Sequence, residues 1–109
     1  MGKIRLAEKH CVPCKGGVTP FSNILAKKYV KKLKSGWHVE DNKLEKIFKF
    51  KNFIQSMGFA NQVALLAQAE NHHPDMEISY SKVEIELWTH AAQGLTENDF
   101  ILAAKIDLL

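Results

Sequence analysis

Apolar residues recur at helical spacing in three stretches of the chain, and they alternate with polar residues in two others. The first helical stretch follows Thr19-Pro20, a pair typical of a helix start, and Gly36 ends it. The remaining positions of this stretch are rich in lysine. The predicted buried face of this first helix consists of Ile24, Leu25, Tyr29 and Leu33.

Two hairpins are predicted, one on each side of a long central helix. In the first, Trp37–Glu40 and Leu44–Phe50 are joined by Asp41-Asn42, residues that suit a tight turn. In the second, Glu77–Tyr80 is followed closely by Lys82–Thr89, whose alternation predicts one buried and one exposed side. The predicted buried side of this last strand is Val83, Ile85, Leu87 and Thr89.

The central helix is predicted to start at an Asn52 cap, with Gln55 as its capping-box partner, and to end before Pro74. Its apolar face is wide enough to cover a sheet and also meet a second chain. A final helix is capped by Thr96. The predicted apolar positions are Phe53, Met57, Ala60, Ala64 and Ala67, flanked by Ile54, Val63 and Leu66, in the central helix, and Phe100, Ala103, Ala104 and Leu108 in the final one.

The resulting order of helix, two strands, helix, two strands and helix predicts an α+β fold. In this fold a four-stranded antiparallel sheet carries three helices packed on one face. The 109 residues suit one domain, residues 1–109, in which residues 1–18 form an irregular tail because glycines and a proline interrupt any period.

Charge and hydropathy narrow the function classes. A net charge of +3 and a single arginine, Arg5, argue against nucleic-acid binding, so the lysines of the first helix are interpreted as a solvated face. No apolar run approaches the roughly 18 residues of a membrane span. The start of the chain lacks the apolar centre of a signal peptide, which favours a cytoplasmic location with reduced cysteines.

The tail contains His10-Cys11-Val12-Pro13-Cys14, which resembles half of a zinc knuckle. A closed zinc site needs four ligands, and the sequence has no second pair of cysteines at this spacing. A flexible or loosely docked tail is therefore expected.

Three of the five histidines lie around the second predicted hairpin: His72-His73 just before it and His90 just after it. Because antiparallel pairing sets the start of one strand beside the end of its neighbour, the three imidazoles are expected to converge. Imidazole titrates near neutral pH and suits acid/base catalysis. Surface or capping histidines are one alternative. A three-histidine zinc site is another, although adjacent histidines are an awkward pair of ligands.

These residues resemble the signature of the pterin-4a-carbinolamine dehydratases. Gln68 stands where that family often has an acidic residue, with Glu70 nearby, and Met76 stands where an aromatic residue is common. The similarity runs from about Cys11 to Asp107. The motifs that carry it are His72-His73-Pro74, Tyr80, Thr89-His90, Gly94-Leu95-Thr96, Asp99, Gly36-Trp37, Phe48-Lys49-Phe50, Met57-Gly58-Phe59 and Lys105-Ile106-Asp107.

The resemblance implies a hydro-lyase that removes water from 4a-hydroxytetrahydrobiopterin to give quinonoid dihydropterin, in tetrahydrobiopterin recycling, with no metal or redox cofactor. His72 and His90 would be the acid/base partners, and His73 would orient the pterin. Candidate substrate contacts are His73, Glu77, Tyr80 and Asp99.

Other roles remain open for several of these residues. Asp99 lies three positions after Thr96, where a capping acid occurs, and capping is favoured for it. Tyr80 and Trp88 could stack on a pterin, although packing is the favoured role for both. The resemblance also implies a homodimer or homotetramer. The alternative function is that of an interaction protein, a dimerisation cofactor or transcriptional coactivator acting through a helical surface.

Overall fold

The computed structural model describes residues 5–13 and 18–109. Its four strands form one antiparallel sheet in the order β1-β2-β4-β3, so the predicted α+β fold is confirmed. In chain order the elements are a 3-10 turn at Leu6–Glu8, α1 at Asn23–Val30, β1 at His38–Glu40, β2 at Lys43–Lys49, α2 at Phe53–Glu70, β3 at Asp75–Ser79, β4 at Lys82–Leu87, a 3-10 turn at His90–Ala92 and α3 at Glu97–Ile106.

Both hairpins form where alternation predicts them. Asp41 and Asn42 join β1 to β2 with φ values of 50° and 60°, a left-handed conformation that Asp and Asn tolerate in two-residue turns. β3 begins directly after Pro74, two residues before its predicted start at Glu77. On β4 the predicted buried side is correct, since Val83, Ile85 and Leu87 are fully buried and Thr89 nearly so.

The central helix α2 is capped as predicted, because the Asn52 side chain accepts a hydrogen bond from the N–H of Gln55 at 2.9 Å. The Gln55 side chain accepts from the N–H of Lys51 at 3.0 Å, one residue before the position that a capping box would use. The helix ends at Glu70, and Asn71 follows in the left-handed conformation with φ 52°. After this turn the chain leaves the helix and continues through Pro74 into β3.

The predicted apolar face of α2 was only partly correct. The side that packs on the core consists of Ser56, Ala60, Val63 and Ala67. Ala64 is exposed, Phe53 is about half exposed, and Ile54 and Leu65 are 83% and 73% exposed. The helix therefore carries apolar side chains on a second side that the sheet does not cover.

Helix α1 differs from its prediction in both start and buried face. Its cap is Ser22 rather than Thr19, because the N–H of Phe21 donates to the carbonyl of Leu95 at 2.7 Å and keeps the preceding residues extended. Ala26 is buried, whereas Ile24 is 72% exposed. This helix ends at Val30. Of its predicted buried face, Tyr29 and Leu33 are partly buried against the core, whereas Ile24 and Leu25 are exposed.

Helix α3 is buried on more than one side, because both α2 and the first 3-10 turn pack against it. The prediction included Phe100 and Ala103 correctly, but Leu108 lies beyond the helix end and is exposed. The buried residues of α3 are Asn98, Asp99, Phe100, Ile101, Leu102, Ala103 and Ile106. No helix in the described ranges is long and apolar enough to cross a membrane.

Candidate active site

One cleft of about 400 Å³ is lined by all three histidines that the sequence singles out, His72, His73 and His90. The antiparallel register explains why they meet, since Asp75 at the start of β3 pairs with Glu86 near the end of β4. Residues that precede β3 and residues that follow β4 therefore lie at the same edge of the sheet. The remaining lining residues are Val12, Pro13, Asn71, Trp88, Thr89 and Asn98.

His72 is held by a buried carboxylate. Its Nε2 lies 2.6 Å from Oδ1 of Asp99, which is fully buried. The other oxygen, Oδ2, accepts hydrogen bonds from the Thr89 hydroxyl at 2.9 Å and from the Thr96 N–H at 3.0 Å. Because an ionised carboxylate can only accept, this contact matches the His72 tautomer that carries its proton on Nε2, in which Nδ1 is the acceptor nitrogen of the ring.

Asp99 is the helix cap favoured for it, and it also makes a contact with His72 that was not predicted. Through Oδ2 it completes the capping box that Thr96 opens at the start of α3. Through Oδ1 it fixes the orientation of the His72 ring. Thr89 and Thr96, whose hydroxyl oxygens are 2.9 Å apart, complete the network. No sequence pattern predicted this role for Thr89.

His73 is linked to the last turn of α2. Its Nε2 lies 3.1 Å from the amide oxygen of Gln68, the residue that stands where the resembled family often has an acid. Glu70 does not take that place, because its carboxylate binds Nδ1 of His10 at 2.8 Å and the N–H of Cys11 at 2.7 Å. The partner of His73 in this chain is therefore a neutral amide.

His90 stacks on Trp88. The two ring centroids are 3.9 Å apart with an interplanar angle of 23°. The indole N–H of Trp88 also lies 3.5 Å from Oδ2 of Asp75. Packing was the favoured role for Trp88, and its partly buried ring does pack against the core; it also supports a cleft histidine. The spacing of two along an extended segment was the signal for this contact.

Two of the candidate substrate contacts lie away from the cleft. Glu77 is opposite Glu84 on the face of the sheet that the helices leave open. Tyr80 is exposed in the turn at the far end of β3. Among Glu77, Tyr80 and Asp99, only Asp99 contacts a cleft histidine.

The cleft histidines do not form a preassembled metal site. Within residues 5–13 and 18–109, the one cluster of potential metal-binding side chains is His38, Glu40 and Glu45 on the first hairpin, whose ligand atoms lie within 4.8 Å of one another. The predicted half-knuckle includes Cys14, which lies outside the described residues. Burial, reinforced by the nearby Glu70 carboxylate, raises the pKa of the Cys11 thiol to about 12, so this thiol is a poor source of thiolate.

Residues 10–13 form a segment, here called the strap, that runs along the ends of α2 and α3. The Val12 N–H donates to Oδ1 of Asn98 at 3.0 Å, and the Val12 carbonyl accepts from Nδ2 of Asn98 at 2.6 Å. Cys11 is bound by Glu70, as described above. This part of the predicted irregular tail is docked, since polar groups on both helices bind its backbone. No sequence pattern predicted those partners.

The electrostatics of Glu70 reflect that docking. Burial by itself would raise its pKa, but the hydrogen bonds from Cys11 and His10 and the charge of Lys105 hold the pKa below its usual value of 4.5. Lys105 Nζ lies 3.8 Å from the carboxylate. Glu70 is therefore a charged anchor for the strap at neutral pH.

Comparison with known proteins identifies the family of this chain. A family model described as pterin 4 alpha carbinolamine dehydratase matches residues 19–109, which leaves the strap outside the matched region. A relative from Rickettsia bellii is 50% identical over 105 residues, covering 95% of this chain and 93% of its own length. A relative from Nitrosomonas eutropha is 47% identical over 104 residues, covering 95% and 92%. Both are named, provisionally, pterin-4-alpha-carbinolamine dehydratases.

Two solved structures share the fold. A transcriptional coactivator/pterin dehydratase from Brucella melitensis superposes with a TM-score of 0.77 at 32% identity, covering 83% of this chain and 97% of that one. A pterin dehydratase-like protein identified as a RuBisCO assembly factor in the alpha-carboxysome gives 0.57 at 26% identity, covering 69% and 89%. With the family model spanning the whole sheet and all three helices, and with its signature histidines gathered at one cleft, this chain belongs to the pterin-4-alpha-carbinolamine dehydratase family.

Proposed function

We propose that this protein removes water from a 4a-hydroxytetrahydropterin and releases the quinonoid dihydropterin, as a step in the recycling of tetrahydrobiopterin. Family membership supports the dehydratase activity. The observation that carries the assignment to residues is the shared cleft, where His72 is bound to a buried carboxylate and faces the same space as His73 and His90.

The reaction is a proton-balanced elimination. The C4a–O bond breaks as the hydroxyl leaves with an added proton, and the neighbouring ring nitrogen loses a proton as the C=N bond forms. One group must therefore donate a proton and another must accept one. Imidazoles with pKa values near the working pH are suited to both steps.

We assign proton acceptance to His72 and proton donation to His90. A carboxylate bound to one nitrogen of an imidazole stabilises the imidazolium that forms when the other nitrogen takes a proton, and Asp99 provides that contact for His72. His90 is restrained by its stack on Trp88, which limits the positions of its ring. His73, held by Gln68, would orient the pterin by hydrogen bonding.

The test is dehydration of freshly generated 4a-hydroxytetrahydropterin by the purified protein. His72→Ala and His90→Ala are each expected to lower kcat by about 10²- to 10⁴-fold, the usual contribution of a general acid or base. His38→Ala is a matched control, because this exposed histidine lies on the first hairpin. Wild-type rates in a variant lacking both His72 and His90 would reject the assignment. Loss of turnover after chelation would favour the zinc alternative.

A second activity, self-association, is favoured by the exposed apolar side of α2. Ile54 and Leu65 are 83% and 73% exposed on a helix whose other side covers the sheet. We propose that this side joins copies of the chain into a homodimer or homotetramer, and the same surface is the candidate for a coactivator-type partner. Ile54→Glu with Leu65→Glu is expected to reduce the mass measured by light scattering and to leave the dehydration rate per chain unchanged. Retention of the wild-type mass would contradict the proposed surface.

A further inference from the structure

The strap brings two apolar side chains to a cleft whose other members are mostly polar. Val12 and Pro13 line the cleft together with Trp88, and Val12 is 64% exposed overall. A planar heterocycle needs polar groups at its edges and apolar contacts on its faces. The histidines supply the first kind of contact, and the strap supplies part of the second.

The strap is fixed by groups adjacent in sequence to the catalytic apparatus. Glu70 binds the Cys11 N–H at 2.7 Å and lies two residues before His72. Asn98 binds both the N–H and the carbonyl of Val12, at 3.0 and 2.6 Å, and lies one residue before Asp99. The ends of α2 and α3 therefore position the histidine–carboxylate pair and the strap together.

We propose that the strap is a specificity-determining wall of the active site. Val12 and Pro13 pack on the bound pterin, while Glu70 is a positioning residue that acts through the strap backbone. This inference rests on the proposed function, because the occupant of the cleft is taken to be the pterin substrate. It adds residues that precede the region matched by the family model.

Val12→Ala is the main test, because this side chain is largely exposed and its truncation leaves the core intact. Each buried methylene contributes about a fourfold factor to binding, so partial burial of Val12 against the pterin predicts a KM about fivefold higher. We expect kcat to stay within about twofold of wild type, because the histidine cluster is unchanged.

Glu70 variants test the positioning role. Glu70→Ala is expected to raise KM at least as much as Val12→Ala and to speed hydrogen exchange at the Cys11 and Val12 amides. Glu70→Gln keeps an amide oxygen that can accept from the Cys11 N–H. We expect its KM and its amide exchange rates to lie between those of Glu70→Ala and wild type. Lys9→Ala is the matched control. It breaks the ion pair between the residue just before the strap and Glu97, 3.0 Å away, and neither residue lines the cleft.

The possible results separate the two proposals. Wild-type KM in Val12→Ala, or a fall in kcat without a change in KM, would overturn the strap assignment and leave the dehydratase assignment standing. Equal changes in Lys9→Ala and Glu70→Ala would also overturn it, because the effect would then be one of general stability. A wild-type protein without turnover would overturn the proposed function itself.

Discussion

Asp99 binds His72 through Oδ1, at 2.6 Å from the ring Nε2, while its Oδ2 caps the helix on which Asp99 lies. One buried carboxylate thereby joins the histidine that follows α2 to the start of α3. Asp99 therefore affects both the orientation of the candidate base, His72, and the stability of the fold. Different substitutions at Asp99 can change catalysis and stability to different extents.

Asp99→Asn should separate catalysis from folding. The amide keeps an oxygen for the capping bond from the Thr96 N–H, but it removes the charge that stabilises protonated His72. We expect kcat to fall by about 10²-fold or more, within the range for disrupted acid/base catalysis. Steady-state dehydration and thermal unfolding of the same samples measure the two effects.

Asp99→Ala is the comparison for that experiment. It removes the cap and one of the two hydrogen-bond partners of the buried Thr89 hydroxyl, so the free energy of unfolding is expected to fall by about 1–3 kcal/mol in addition to the loss of activity. Near-normal kcat in Asp99→Asn would contradict the role given to the carboxylate.

Trp88 is predicted to act through His90. Trp88→Leu removes the aromatic partner at 3.9 Å, and an aromatic pair contributes about 0.5–1.5 kcal/mol. We therefore expect kcat/KM to fall by about 2- to 13-fold, with Trp88→Phe nearer to wild type because it retains a ring. Nuclear magnetic resonance provides the specific readout, since the ring-current shift of the His90 protons should disappear in the leucine variant. An unchanged His90 spectrum would show that the stack does not form in solution.

Substitution by alanine should have opposite effects on stability at two glycines, Gly94 and Gly58. A Cβ on Gly94 would lie 2.8 Å from Cβ of Pro20, so Gly94→Ala forces apart the loop beside His90 and the segment that precedes α1. Overpacking of this kind costs about 1–3 kcal/mol. A Cβ on Gly58 meets nothing within 4 Å, and Gly58→Ala is expected to stabilise α2 by about 0.5–1 kcal/mol. Urea unfolding of both variants checks the signs, and a stable Gly94→Ala protein would show that the loop can move.

The lowered pKa of Glu70 predicts that its contribution to stability decreases at low pH. Its pKa is held below the usual 4.5 in the folded chain, because the bonds from Cys11 and His10 and the charge of Lys105 outweigh burial. Glu70 therefore binds a proton less readily in the folded state than in the unfolded state. The stabilisation that charged Glu70 provides is present above about pH 4.5 and is lost as the pH falls through the folded-state pKa. The difference in free energy of unfolding between wild type and Glu70→Gln should shrink as the pH falls from about 5 to about 3. A constant difference across that range would contradict the ion-pair role.

The hairpins could be predicted from the sequence because their signals are local. Asp41-Asn42 suits a left-handed turn, and Val83, Ile85 and Leu87 alternate with charged residues along β4. The start and face of α1 depend on distant partners instead. The contact of Phe21 with Leu95 holds the chain extended past the proposed Thr19 cap, and no local pattern in the sequence contains it.

The candidate site also has one part that could be predicted from the sequence and one part that could not. Convergence of His72, His73 and His90 follows from antiparallel pairing and the positions of the hairpin ends, and the structure places all three at one cleft. The strap could not be foreseen, because its docking depends on two polar side chains, Glu70 and Asn98, that meet it across 59 and 86 residues of sequence. Side-chain bonds to irregular backbone leave no periodic trace in a sequence.

The docking of residues 10–13 has a practical consequence for anyone who purifies this protein. An affinity tag or fusion partner joined close before residue 10 would lie beside the cleft, where its bulk would alter the measured substrate affinity. Leu108 and Leu109 are exposed and lie past the last helix. A tag joined after Leu109 is therefore the better choice for kinetic work.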